Sequence, residues 1–267
     1  MELDLEKRDI EEVEVNITNC KSALSDSKLE SDYSLNPYTG CSHGCRYCYS
    51  PYVTKEERSW GEFVDVKRNI PKVLADELKR KEKGTIRIGS VTDPYQKAEE
   101  KYKLTRRCLK QLNQKDFPTI IQTKSDLIKR DVNILSDMKA DVGFTITSLD
   151  DDFRKRFEPD APPISDRLSA IKGLKDQGVG VWAFIGPLFP YKNDDIEDLE
   201  RLKDTLLSLG VEEIYLDKLN MREGIWGDLQ KLLDKETIER YEDIYFGDDD
   251  YFERKKGMYD KIGKTVF

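Results

Sequence analysis

Asn36-Pro37-Tyr38-Thr39-Gly40-Cys41-Ser42-His43-Gly44-Cys45-Arg46-Tyr47-Cys48-Tyr49 gathers three of the chain's five cysteines into eight residues. The spacing is C-x3-C-x2-C. Three thiolates on one tight loop are able to hold three irons of a cubane cluster and leave the fourth iron open to a small molecule. The loop follows a strand-like stretch, Tyr33–Leu35, and precedes a helix-like one. That setting places it at the carboxyl end of a first strand, where parallel α/β barrels keep their chemistry. Structural zinc is the alternative on spacing, although zinc sites usually use paired C/H spacings. Cys20 lies far upstream, and Cys108 shares a helical face with Leu104 and Leu112 and reads as core. His43, the only histidine of the chain, is the fourth ligand within reach, so a non-catalytic Cys3His zinc module stands beside the cluster.

Working outward, the chain alternates short apolar runs with amphipathic ones. Strand-like runs are Thr85–Val91, Thr119–Thr123, Gly143–Leu149, Val179–Leu188 and Glu213–Leu219. Between them, helices are expected over Ile70–Lys83, Leu104–Leu112, Asp166–Gln177 and Asp194–Leu209. Serial β-α units imply a parallel sheet with helices outside. A closed eightfold barrel takes about 250 residues, and the pattern runs only from Tyr33 to about Asn220. The expected fold is therefore α/β, a partial (β/α)6 TIM-like barrel with a parallel six-stranded sheet and outer helices. Residues 1–32 read as an N-terminal extension with one short strand, Val13–Ile17. Residues 33–220 read as the barrel, and residues 221–267 as a C-terminal extension with helical patches over Ile225–Tyr245.

The chain has 267 residues, 37% hydrophobic and 37% charged, with 53 acidic against 45 basic residues and a net charge of -8. That balance argues against a nucleic-acid partner. Lys129, Arg130, Arg154, Lys155 and Arg156 are the candidates for a local basic patch and read as solvated charge. Met1 leads into Glu2, Asp4 and Glu6 without an apolar leader, and the longest apolar run, Val181 to Tyr191, has strand length. A cytoplasmic protein with no membrane contact is expected. An odd number of cysteines fits a reducing compartment.

The cysteine loop, with Tyr47 before the last cysteine, resembles the signature of the radical S-adenosylmethionine (SAM) superfamily. The wider string Asn36-Pro37-Tyr38-x-Gly40-Cys41-x-His43-x-Cys45-x-Tyr47-Cys48-Tyr49 is similar to the spore photoproduct lyase-like group within it. Ser90-Val91-Thr92-Asp93-Pro94-Tyr95-Gln96, Thr123-Lys124-Ser125, Phe157-Glu158-Pro159, Arg167-Leu168 and Ile185-Gly186-Pro187 agree with that group. The resemblance implies one [4Fe-4S] cluster on Cys41, Cys45 and Cys48. It implies SAM as the second cofactor and an oxygen-sensitive enzyme of lyase or oxidoreductase type. It also implies an electron donor such as flavodoxin or ferredoxin.

Under that resemblance, SAM contacts fall to eight residues. Lys124 suits the methionine carboxylate, and Tyr47 supports the adenine. Thr145 and Thr147 alternate along one strand, so both hydroxyls point to one face. Thr92 and Asp93 end the second strand, within reach of the methionine amine or ribose; an Asp before Pro94 is also a common turn former. Arg167 either joins the site or balances Glu158 or Asp160. Gly186 lets backbone approach the adenine. Spore photoproduct lyase carries a hydrogen-returning cysteine where this chain has Val91. With that thiol missing, DNA photoproduct repair is the lesser alternative. An open barrel mouth suits a macromolecular substrate.

Overall fold

The computed structural model describes residues 13–27, 31–138, 140–222 and 224–267. Its strands are β1 (Glu14–Thr18), β2 (Leu24–Asp26), β3 (Tyr33–Leu35), β4 (Tyr38–Thr39), β5 (Phe63–Lys67), β6 (Ile86–Ile88), β7 (Thr119–Thr123), β8 (Ala140–Thr145), β9 (Gly180–Leu188), β10 (Ile214–Lys218) and β11 (Lys264–Thr265). The main sheet runs β11-β10-β9-β8-β7-β6-β3-β2. Its six inner strands are the six expected from the sequence, adjacent and parallel throughout.

The expected count of six is corrected to eight. β11 adds a parallel edge beside β10, and β2 an antiparallel edge beside β3. Both are too short to carry a periodic signal. A second sheet, β1-β5-β4, brings the N-terminal strand against β5.

One face of the inner strands is buried and apolar, while alternate positions such as Arg87, Ile120, Gln122 and Tyr215 are half-buried. Ile86, Ile88, Ile121, Val142, Phe144, Val181, Ala183, Ile185 and Leu216 are buried in one cluster. The helix Leu104–Gln114 sets Leu104, Cys108, Leu109 and Leu112 into that cluster, and Cys108 is a core residue as expected. Gly143 lies at the middle of β8 because the Trp182 ring occupies the place of a side chain; a Cβ there would stand 2.2 Å from it.

Two boundary shifts matter for the site. β6 ends at Ile88, so Ser90 to Asp93 form a loop over the sheet edge rather than strand. β8 starts earlier than expected and ends at Thr145, so Thr147 lies beyond it. The C-terminal segment carries the helices Ile225–Gln230, Lys235–Phe246 and Tyr251–Ile262 before β11. No helix among the described residues is long and apolar enough to cross a membrane.

Candidate active site

The cysteine loop starts where β4 ends, and its shape is set by its neighbours. Gly40 has φ +80°, and a Cβ there would stand 2.4 Å from the Phe63 carbonyl oxygen, so only glycine passes β5 here. Thr92 Oγ1 donates to the Gly40 carbonyl at 2.6 Å, and Gln96 Nε2 donates to the same carbonyl at 3.1 Å and to Thr92 Oγ1 at 2.9 Å. Gln96 Oε1 accepts from Ser42 N at 2.9 Å. On the far side, Arg46 N donates to Phe157 O at 2.9 Å and Asp160 N to His43 O at 3.3 Å. Protein contacts alone thus clamp the loop from two sides, at Gly40 and Ser42 and at His43 and Arg46.

One cavity receives the loop. Cys41, His43, Cys45, Tyr47 and Cys48 line it, together with Gly89 to Asp93, Gln122 to Lys124 and Thr145. The chain ends after the parallel strands β6, β7 and β8 meet there, as the carboxyl-end rule for parallel sheets requires, and the cysteine loop reaches them from β4 of the second sheet rather than directly from β3.

Burial, with Asp93's charge second, pushes the Cys41 thiol up to about 12. Cys45 is likewise raised by burial, against the pull of Lys124. Thiolates in so dry a place need a positive centre to form. A cubane takes one thiolate per iron, and the three cysteines that line this cavity supply three. The donor set fits such a cluster.

Burial works to lower the Lys124 pKa, but the charges of Cys45 and Glu158 outweigh it and raise the net value. Its Nζ lies 5.6 Å from the centroid of the Tyr47 ring. Asp93 Oδ2 accepts from Lys124 N at 2.8 Å and Oδ1 from Thr123 Oγ1 at 2.7 Å and Tyr95 N at 2.8 Å. His43 Nδ1 stands 3.5 Å from Asp93 Oδ2. Burial lowers the His43 pKa, holding the ring neutral. Gln122 Nε2 donates to Thr145 Oγ1 at 3.2 Å, which leaves the Thr145 hydroxyl its own proton to give.

Of the eight residues proposed for SAM, Tyr47, Thr92, Asp93, Lys124 and Thr145 line the cavity; Thr147, Arg167 and Gly186 do not. Thr92 and Asp93 are engaged in holding the loop and β7. The shared face assigned to Thr145 and Thr147 is corrected, because alternation holds only within a strand and β8 ends between them. Thr147 is buried and donates to Glu158 Oε1 at 3.2 Å, on the border of a neighbouring cavity with Ser148 and Asp150. Arg167 is fully buried in an ion pair with Glu158 at 2.6 Å. Gly186 lies within β9, where the Phe184 ring fills the side-chain position. Sequence reasoning missed Glu158 and Gln96 as site residues, and Trp60, Ser50 and Gln122 as cavity lining. Glu158 and Gln96 stood in the quoted strings, but nothing in the sequence says which way a lone acid or amide faces.

The candidate basic patch does not form. Lys129 pairs with Asp126, Arg130 with Glu99 and Asp131, Arg154 with Asp151 and Lys155 with Asp152. Arg156 lies over the Phe157 ring.

The family model of the Radical SAM superfamily matches residues 35–205. An uncharacterized protein of Methanocaldococcus jannaschii is 34% identical over 193 residues, which cover 70% of this chain and 71% of that protein. Among solved structures, spore photoproduct lyase complexed with dinucleoside spore photoproduct matches with a TM-score of 0.67 at 15% identity, over 87% of this chain and 80% of that one. SuiB of Streptococcus suis, bound to S-adenosylmethionine, matches with a TM-score of 0.53 at 15% identity, over 91% of this chain and 48% of that one. At such identities the two structures speak for the fold.

Proposed function

This chain belongs to the radical SAM superfamily, and from that premise we propose that it binds one [4Fe-4S] cluster on Cys41, Cys45 and Cys48 and SAM beside it. It then uses SAM-derived radical chemistry to abstract a hydrogen atom from a substrate. The carrying observation is that the three thiols share one cavity with Tyr47, Lys124 and Thr145 at the ends of parallel strands. When bound, the cluster supplies the electron that splits SAM into methionine and a 5'-deoxyadenosyl radical.

The chain's own residues supply position and dryness. The Lys124 ammonium is the charge partner for the methionine carboxylate, held there by Asp93 through the backbone N–H. The Thr145 hydroxyl, with Gln122 on its oxygen, is a donor aimed at SAM oxygens. Tyr47, packed edge-on to Phe189 with ring centroids 5.6 Å apart, walls the cavity against water. Thr92 and Gln96 act earlier, by fixing the backbone that presents Cys41.

Val91, which the resemblance matches to the lyase's hydrogen-returning cysteine, lines the cavity. It has no such hydrogen, so photoproduct repair of the lyase type is the weaker reading. On this reading the electron comes from a donor such as flavodoxin or ferredoxin, and the enzyme is oxygen-sensitive.

Anaerobic reconstitution with iron and sulfide, followed by dithionite and SAM, tests the reading. The parent chain is expected to release methionine and 5'-deoxyadenosine, and Cys45→Ala to release neither. A chain holding one zinc and no sulfide, or a Cys45→Ala variant with parental turnover, overturns it.

A further inference from the structure

Glu158 reaches both walls between which SAM would lie, without lining the cavity itself. It follows the helix Asp151–Phe157 and is fully buried. Its Oε1 accepts the hydroxyl of Tyr47, from the cysteine loop, and that of Thr147 at 3.2 Å, from the end of β8. Its Oε2 accepts Arg167 Nη2 at 2.6 Å, and neither partner's side chain has any exposed surface. Arg167 then donates Nη1 to Thr145 O at 3.1 Å and Nε to Pro162 O at 2.9 Å. One buried pair thus links the loop bearing the cysteines to the strand end bearing Thr145.

Stability alone gives no reason for this pair. Replacing a buried ion pair by apolar residues of similar volume is often neutral or stabilising. Its attested use is to fix one arrangement among several. Here the arrangement is the width of a gap: Tyr47 on one side, Thr145 on the other, with Lys124 over the Tyr47 ring.

We infer that Glu158 and Arg167 are positioning residues that set the spacing between the cysteine loop and the end of β8, and so hold SAM at a defined distance from the cluster. The inference rests on the proposed radical SAM reading. Neither residue is a SAM contact; both act through Tyr47 and Thr145.

The test uses the reconstituted full chain with Tyr47→Phe, which removes only the hydroxyl bond to Glu158, and Glu158→Gln, which removes the charge. Measured are iron and sulfide content, melting temperature, SAM affinity, and the electron paramagnetic resonance spectrum of the reduced cluster with and without SAM. Both variants are expected to load iron and sulfide as the parent does. Both should bind SAM about tenfold more weakly, the size expected for one lost charge-assisted hydrogen bond. Their spectra with SAM should depart from the parent's. A mere brace would lower the melting temperature and leave affinity and spectrum at parental values, and that result overturns the inference. Tyr47→Phe decides the matter by itself if Glu158→Gln does not fold. A parent that loads its cluster but binds no SAM sinks the underlying reading, and this inference with it.

Discussion

Lys124 carries its charge in a cavity that resists charge. Burial disfavours the ammonium, and the charge that Cys45 carries as a thiolate, together with that of Glu158, outweighs it. Its proposed task is a charge-assisted contact to SAM, worth about 2 kcal/mol. Lys124→Ala is therefore expected to weaken SAM binding roughly thirtyfold and to leave iron and sulfide content unchanged, as titration of the reconstituted chain would register. Undiminished affinity would remove Lys124 from the site. Glu158 makes a pH prediction. Burial works to raise its pKa, but Arg167, Lys124 and the Tyr47 hydroxyl outweigh it, so the folded value lies below the ordinary 4.5. A carboxyl with a depressed folded pKa adds stability that is fully present above its unfolded value and is lost as pH falls through the folded one. Between pH 6 and 3, the melting temperature of the parent should fall more steeply below about 4.5 than that of Glu158→Gln. Parallel curves would contradict the assignment.

At the scale of elements, the cysteine loop is held by contacts its own sequence does not contain. Gln96 closes three hydrogen bonds onto Gly40, Ser42 and Thr92 and has no exposed surface. Gln96→Ala leaves the Ser42 N–H buried without that partner, a cost of about 1–3 kcal/mol. The expected result is faster loss of iron to a chelator from the reconstituted chain; release at the parental rate would show that the clamp is dispensable. The strands that position this loop were legible because their buried face demands apolar side chains at alternate positions. β7 matches its expected span to the residue, as does β3. β6 and β8 did not, since Val91 and Ile146 continue an apolar run after the ladder has ended. That error carried Thr147 onto the wrong wall. β2 and β11 were unreadable, because Leu24–Asp26 and Lys264–Thr265 are mostly polar and carry no strand-like apolar run, and they pair only because a sheet edge lies ready.

For the molecule as a whole, the C-terminal segment is fastened by one carboxylate. Asp194 Oδ2 accepts from Tyr259 OH at 2.8 Å, Tyr251 OH at 2.5 Å and Lys255 Nζ at 2.9 Å, and its Oδ1 from Tyr191 N at 2.8 Å. Three of these donors are side chains of the helix Tyr251–Ile262, which leads into β11 on the sheet edge. Asp194→Ala should cost about 2–3 kcal/mol, mostly through the hydroxyls and ammonium left behind. Denaturant melts would register it, with amide exchange rising first over residues 251–265. An unchanged midpoint would mean that the apolar contacts of Phe252 and Ile262 hold the helix unaided.

The sequence by itself determined the parallel α/β order and singled out the three clustered thiols and Lys124, which line one cavity, because each rests on local spacing: period, loop length, the distance between cysteines. Only the tertiary structure decided which polar groups line the cavity and which partners they take. Thr92, Thr147 and Arg167 look like site residues in the chain, yet each turns to a protein partner, on the Gly40 carbonyl or on Glu158. The physical reason is that a buried polar group takes whatever partner the fold brings within about 3 Å, and here that partner lies 9, 11 or 52 residues away. Thr92 sits 52 residues from Gly40, a separation across which sequence spacing carries no directional information.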